Sequence, residues 1–355
     1  MDSTLLAAGG YGCVFKPSLG CNGKSEPDSN RVTKIQAADG AAYNELTIAK
    51  LVRAIPNYQR FFGAAVSSCE VSRSVISKNV MKQCPLLSHE QKLLLMTFDY
   101  IPNVSMQKVA KAALQRKEDI YALLHSYSLL LRSLNKLAEI GVFHMDLKAE
   151  NILYDAVYHL PVVIDFGIAI DMEQLSPARW KEKFYTFSPE YFIWAPEIQY
   201  IAYLLHVNSY PSENEIKLFA NAITNSNLAL DDFTSEFKNL WAADCYRFFL
   251  KFLDMPRDEV ISHLLTFWKT WDNYSLNVMY IRLMQTWHST GYTKNWVFGH
   301  LMEVFLWGMH PNPSERYTPD KSISEYNQVF KTESDAACVI QGMEEFVQGL
   351  KLKET

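Results

Sequence analysis

The stretch from His144 to Gly167 constrains this chain more than any other. It reads Val-Phe-His144-Met145-Asp146-Leu-Lys148-Ala-Glu-Asn151-Ile-Leu153-Tyr, then a short polar turn, then Val-Val-Ile-Asp165-Phe166-Gly167. Two acidic residues, a lysine and an asparagine stand at the ends of short apolar strands, an arrangement that aims polar groups at an anionic ligand. Phosphate with a divalent metal is the ligand this chemistry suggests. Phosphoryl transfer needs a carboxylate to orient the attacking hydroxyl, a cation near the γ-phosphoryl group and hard oxygen ligands for magnesium. Asp146, Lys148 and the pair Asn151 and Asp165 supply these parts in that order.

The same segment resembles the catalytic loop H-R-D-L-x-x-x-N and the D-F-G turn of protein kinases, with Met145 where that family usually has arginine. The resemblance implies the eukaryotic-type protein kinase superfamily and an α+β, bilobal fold. A small β-rich N-lobe is then expected over residues 1–101 and a larger, mainly helical C-lobe over residues 102–355.

Composition agrees with a large soluble enzyme. The chain has 355 residues, 48% of them apolar, which suits one large or two medium domains. A formal net charge of -5 offers no basic field for nucleic acid. The six cysteines, at 13, 21, 69, 84, 245 and 338, form no Cys-x-x-Cys pair. Neither structural zinc nor a disulfide scaffold is expected from them, and a reducing compartment is. The N-terminus lacks the basic start and apolar core of a signal peptide, and no apolar run is long enough to span a bilayer.

In chain order, Ala7-Ala-Gly9-Gly10-Tyr11-Gly12-Cys-Val14 resembles the kinase glycine-rich loop, with Ala7 in the first glycine place. Backbone without Cβ can approach phosphates closely, although a glycine cluster alone is usually a plain turn. Pro17 to Asn30 reads as an enlarged hairpin loop before the strand Arg31-Val32-Thr-Lys34-Ile35, whose lysine matches V-A-I-K. Asp39-Gly40 starts a helix with Leu46, Ala49 and Val52 at apolar spacing. By resemblance, Glu45 on that helix pairs with Lys34, Val14 packs on the adenine, Val32 adds bulk above the ring and Leu153 belongs to the same nucleotide pocket. Leu93 to Asn103 resembles the last N-lobe strand and hinge, with Phe98 as a bulky gatekeeper and the backbone of Asp99 and Ile101 facing adenine.

The helical stretch Asp119 to Ile140 ends at Gly141, a good C-cap, and its leucines read as core. Ala195-Pro196-Glu197 matches A-P-E, and Asn312 to Thr318 resembles the segment whose arginine, here Arg316, pairs with that glutamate. Asp272 is expected to accept hydrogen bonds from the catalytic-loop backbone. Between them, about residues 199–269, lies a helical, aromatic-rich stretch that reads as a packed insertion. The tail, Val339 to Leu350, reads as an amphipathic helix.

The resemblance spans about residues 5–330 and implies an ATP- and Mg2+-dependent protein Ser/Thr kinase. The Gly-Tyr-Gly-Cys-Val-Phe-Lys-Pro opening and the long insertion are similar to divergent kinases of large DNA viruses. A pseudokinase-like scaffold and a small-molecule phosphotransferase are the alternatives. The expected partner is a protein carrying Ser or Thr acceptors, with a further partner through the insertion and no nucleic acid. The expected location is the cytoplasm, or the host cytoplasm or virion for a viral kinase.

Overall fold

The structure, a computed structural model, describes residues 3–26, 30–112, 117–155, 157–158, 160–286 and 296–329. The tail helix expected over Val339 to Leu350, and Cys338, lie outside the described residues. The N-lobe is built on β1 (Thr4–Ala8), β2 (Gly12–Lys16), β3 (Arg31–Ala37), β4 (Ser67–Ser72) and β5 (Lys92–Asp99), in the order β1-β2-β3-β5-β4 with every neighbour antiparallel. One long helix, α1 (Gly40–Arg53), packs against this sheet, and its N-cap is Asp39, whose carboxylate accepts from Ala42 N at 2.9 Å. A short helix, α2 (Lys78–Gln83), completes the lobe.

The period-2 alternation of strands gives the sheet two different faces. Register sets Val14 opposite Lys34, Lys34 opposite Met96 and Val32 opposite Phe98, all on the face that looks toward α1 and the other lobe. Cys13, Phe15, Ile35, Leu93 and Leu95 alternate with them and form a separate outer cluster with Val71, Ile76, Val80, Met81, Cys84 and Leu87. Gly12 is required where it stands: a Cβ there would lie 2.3 Å from the carbonyl oxygen of Ile35.

The expectation that the cysteines form no disulfide framework, on which the expected reducing compartment rests, is corrected here. Cys13 is bonded to Cys84 and Cys21 to Cys69, with Cα atoms 6.0 and 5.9 Å apart. The partners lie 71 and 48 residues apart in the chain, so only the sheet brings them together and no short spacing announces them. Cys245 is free and buried.

The C-lobe follows through β6 (Asn103–Ser105), α3 (Met106–Ala112), α4 (Lys117–Glu139), β7 (Val142–Phe143), β8 (Ile152–Asp155), β9 (Pro161–Val163) and β10 (Ile170–Asp171). Helices α5 (Trp180–Lys183), α6 (Pro196–His206), α7 (Glu213–Ser226), α8 (Ser235–Leu250), α9 (Arg257–Leu265), α10 (Trp271–Gln285), α11 (Trp296–Gly308) and α12 (Pro319–Val329) complete it. The stretch 199–269 therefore folds mainly as helices, and Tyr200, Phe219, Phe248, Phe249 and Phe252 pack into the main core. α10 is buried along nearly its whole length although it carries several polar side chains. Each of these finds a partner: Asn273 donates to Tyr317 O, Ser275 to Ile193 O, and Asn277 accepts from the Tyr127 hydroxyl.

That core continues through Phe166 and Phe62 to the inner side of α1, where Ala42, Ile48, Ala49 and Val52 are buried. Leu46, expected on the same stripe, is only half-buried.

Candidate active site

Two charged clusters stand at the ends of these strands. In the first, Lys34 Nζ lies 2.8 Å from Glu45 Oε2 and 2.9 Å from Asp165 Oδ1. β3 carries the lysine, α1 the glutamate and the turn after β9 the aspartate. Asp165 has φ of 66°, a left-handed conformation that a non-glycine residue adopts only under tertiary constraint.

The electrostatics of the cluster are mutual. Burial works against the charge on Lys34, but Glu45 and Asp165 outweigh it and raise its pKa. Burial also pushes Asp165 upward, and the Lys34 charge and hydrogen bond, helped by His144 and the Gly167 N–H, reverse that and hold it below the usual carboxylate range. Glu45 is raised, because its burial and the neighbouring Asp165 outweigh Lys34.

In the second cluster, Asp146 accepts on every side. Lys148 Nζ lies 2.9 Å from both carboxylate oxygens, and Asn151 Nδ2 donates to Oδ2 and to the Asp146 backbone oxygen, both at 2.9 Å. The Tyr191 hydroxyl donates to Oδ1 and accepts from Lys148 at 3.2 Å. With its amide nitrogen committed twice, Asn151 has its amide oxygen left as the atom able to ligate a cation. Asn151 O accepts from Ile164 N at 2.9 Å, which ties this loop to the residue preceding Asp165.

The loop that carries Asp146 is itself held from below. Asp272 accepts from His144 N at 2.8 Å and Met145 N at 3.2 Å. Burial pushes its carboxyl up to about 6 against the opposing pull of His144 and the backbone bonds. Met145 is buried and has φ of 66°, and its backbone oxygen accepts from Trp194 Nε1 at 2.8 Å, so the loop is held there through its backbone. Glu197 and Arg316 form a two-pronged ion pair, 2.9 and 2.8 Å, with both side chains 0% exposed.

The remaining expected residues lie as follows. Gly9 and Gly10 are exposed in the β1–β2 turn, where Gly9 N donates to Gly12 O at 2.9 Å. Val32 is buried, Val14, Phe98, Ile101 and Leu153 are half-buried, and Asp99 is exposed with Arg31 at 3.9 Å. Sequence reasoning passed over Tyr191, Asn44 and Gln199. Gln199 Nε2 donates to Ser188 O at 2.6 Å and its Oε1 accepts from Ser188 N at 3.1 Å, which secures the loop carrying Tyr191. Their partners are backbone groups or residues far away in the chain, and neither periodicity nor motif spacing marks them.

The protein kinase domain family model matches residues 39–229, more than half of the chain. The chain belongs to the protein kinase family, and the bilobal fold agrees with it. No curated protein matches the chain. Lys34 and the glycine turn precede the matched span and Asp272 and Arg316 follow it, so their positions are known from the fold.

Proposed function

We propose that this chain is a protein Ser/Thr kinase that transfers the γ-phosphoryl group of ATP to protein hydroxyls. The observation that carries the proposal is Lys34, a largely buried ammonium shared between Glu45 at 2.8 Å and Asp165 at 2.9 Å across three elements of two lobes. Such a group fits phosphate oxygens on one side and a metal-binding carboxylate on the other. Among the described residues no cluster of three or more His, Cys, Asp or Glu could hold a metal by itself. One amide oxygen and one carboxylate, Asn151 and Asp165, suit magnesium, which keeps waters and takes phosphate oxygens as its other ligands.

ATP with magnesium supplies the transferable phosphoryl group and shields its charge. Asp146 orients the acceptor hydroxyl and takes its proton as the new phosphorus–oxygen bond forms and the bond to the departing ADP breaks. Lys148 balances charge beside the transferring group. Because the Tyr191 hydroxyl already occupies Asp146, it gives up that bond when an acceptor enters. Gly9, Gly10 and Gly12 serve the phosphates, while Val14, Val32, Phe98, Leu153 and the backbone of Asp99 and Ile101 serve the adenine.

Lys148, two residues after the base, supports Ser/Thr over Tyr as the acceptor. The Glu197–Arg316 pair favours a protein kinase over a small-molecule phosphotransferase. The exposed Tyr210, Leu218 and Leu240 on the 199–269 stretch support a partner there. The opening Gly10-Tyr-Gly-Cys-Val-Phe-Lys-Pro17 supports a place among kinases of large DNA viruses. Of the settings expected for such a kinase, the two disulfides favour the virion, since they persist in oxidising surroundings. The test is incubation with Mg-ATP and, separately, a generic protein, an amino alcohol and an aminoglycoside. Phosphoserine or phosphothreonine on the protein is expected. Transfer to the small acceptors alone, or nucleotide binding without any transfer, would refute the proposal.

A further inference from the structure

We propose that Asn44 is a positioning residue that holds the segment after Asp165 in its working place without a phosphate. The inference rests on the kinase function proposed above and deepens it. Asn44 stands beside Glu45 on α1. Its amide nitrogen donates to Ala169 O at 2.8 Å and Gly167 O at 3.1 Å, and its amide oxygen accepts from Lys183 Nζ at 2.9 Å. One side chain therefore grips both the turn that carries Asp165 and the helix α5 that closes the following segment.

The grip is coupled to the charged cluster. Glu45, the next residue on the same helix, binds Lys34, and Lys34 binds Asp165. α1 cannot move outward without breaking the Asn44 and Glu45 contacts together, so each set keeps the other in register. Kinase segments of this kind are commonly ordered by a phosphate that pairs with arginine. Here the residue before the base is Met145, buried and uncharged, while Arg179 pairs with Glu182 at 3.0 Å and Lys183 is engaged by Asn44. A neutral amide with two donors and an acceptor meets two carbonyls and an ammonium, which is the pairing this site requires. Asn44 also borders an open cleft of about 410 Å³ shared with Ile170, Arg179 and Lys183, so shortening it does not hollow a close-packed core.

The test compares Asn44→Ala, Asn44→Asp, Asn44→Gln and Lys183→Met with the parent protein after phosphatase treatment. Amide hydrogen exchange on nucleotide-free protein is the first readout. Faster exchange confined to residues 167–187 is expected in Asn44→Ala. Steady-state kinetics is the second: kcat should fall about tenfold or more while KM for nucleotide stays within about threefold. Asn44→Gln, which keeps both amide atoms, should recover part of kcat. Asn44→Asp, which keeps only the Lys183 contact, should not. Wild-type kcat and exchange in Asn44→Ala would overturn the inference, as would exchange rising evenly through both lobes. Should Asn44→Ala not fold, the milder Lys183→Met decides: unchanged exchange at 167–187 overturns the inference and a local rise upholds it. A parent protein that transfers no phosphoryl group defeats the kinase proposal instead, whereas an active parent indifferent to Asn44 defeats only this inference.

Discussion

The outer face of the N-lobe sheet and the core around α10 are held together by different means. The first is a small cluster containing Cys13, one bridge inside it and another at its edge, Cys69 being packed against it. The second is continuous and rich in aromatics, the buried polar groups of α10 within it are hydrogen-bonded, and it contains no disulfide among the described residues. A thin lobe has too little interior to bury enough apolar surface, and cross-links that restrict the unfolded chain make up the difference. The larger lobe has interior enough to bury an ion pair. The residues proposed to face the nucleotide lie on the other face of the sheet that the bridges staple, so the two lobes should respond differently to the same insult.

The largest effect is expected in the C-lobe. Arg316→Met leaves Glu197 buried without its partner, and the loss should be about 3–5 kcal/mol. All eight tryptophans follow residue 101, and those among the described residues lie in this lobe, so the tryptophan-fluorescence denaturation midpoint should fall. An unchanged midpoint would mean that the pair is not closed in solution. Next in size, Cys13→Ala with Cys84→Ala should cost about 2–4 kcal/mol, the usual range for a bridge that closes a long loop. Nucleotide binding should weaken at a lower denaturant concentration than the tryptophan transition, and a dithiol reductant should have the same effect on the parent protein. Coincident transitions would break the contrast between the lobes. The smallest change is Asp39→Ala, which removes the N-cap of α1 and should cost about 1 kcal/mol. It should appear in nucleotide binding before it appears in tryptophan fluorescence.

The residues proposed for catalysis could be picked out, and the fold brings them together, because phosphoryl transfer requires few residue types at nearly fixed spacings. Asp146, Lys148, Asn151 and Asp165 could be named from residues 144–167 alone, and the strand lysine, helix glutamate and buried Glu197–Arg316 pair from resemblance. The bridges were not legible, since partners 71 and 48 residues apart meet only after the sheet has formed. Asn44 and Tyr191 escaped for a related reason. A polar residue on a helix face or in a loop looks solvated until its distant partners, Ala169 and Lys183 or Asp146 and Lys148, are in place.

The most direct test of the central claim is phosphoryl transfer by Asp146→Asn. It keeps the shape of the loop while removing the group proposed to take the proton, so kcat should fall about 10²-fold or more. Nucleotide affinity and the tryptophan denaturation midpoint should stay near those of the parent protein. Full transfer activity in that variant would contradict the account.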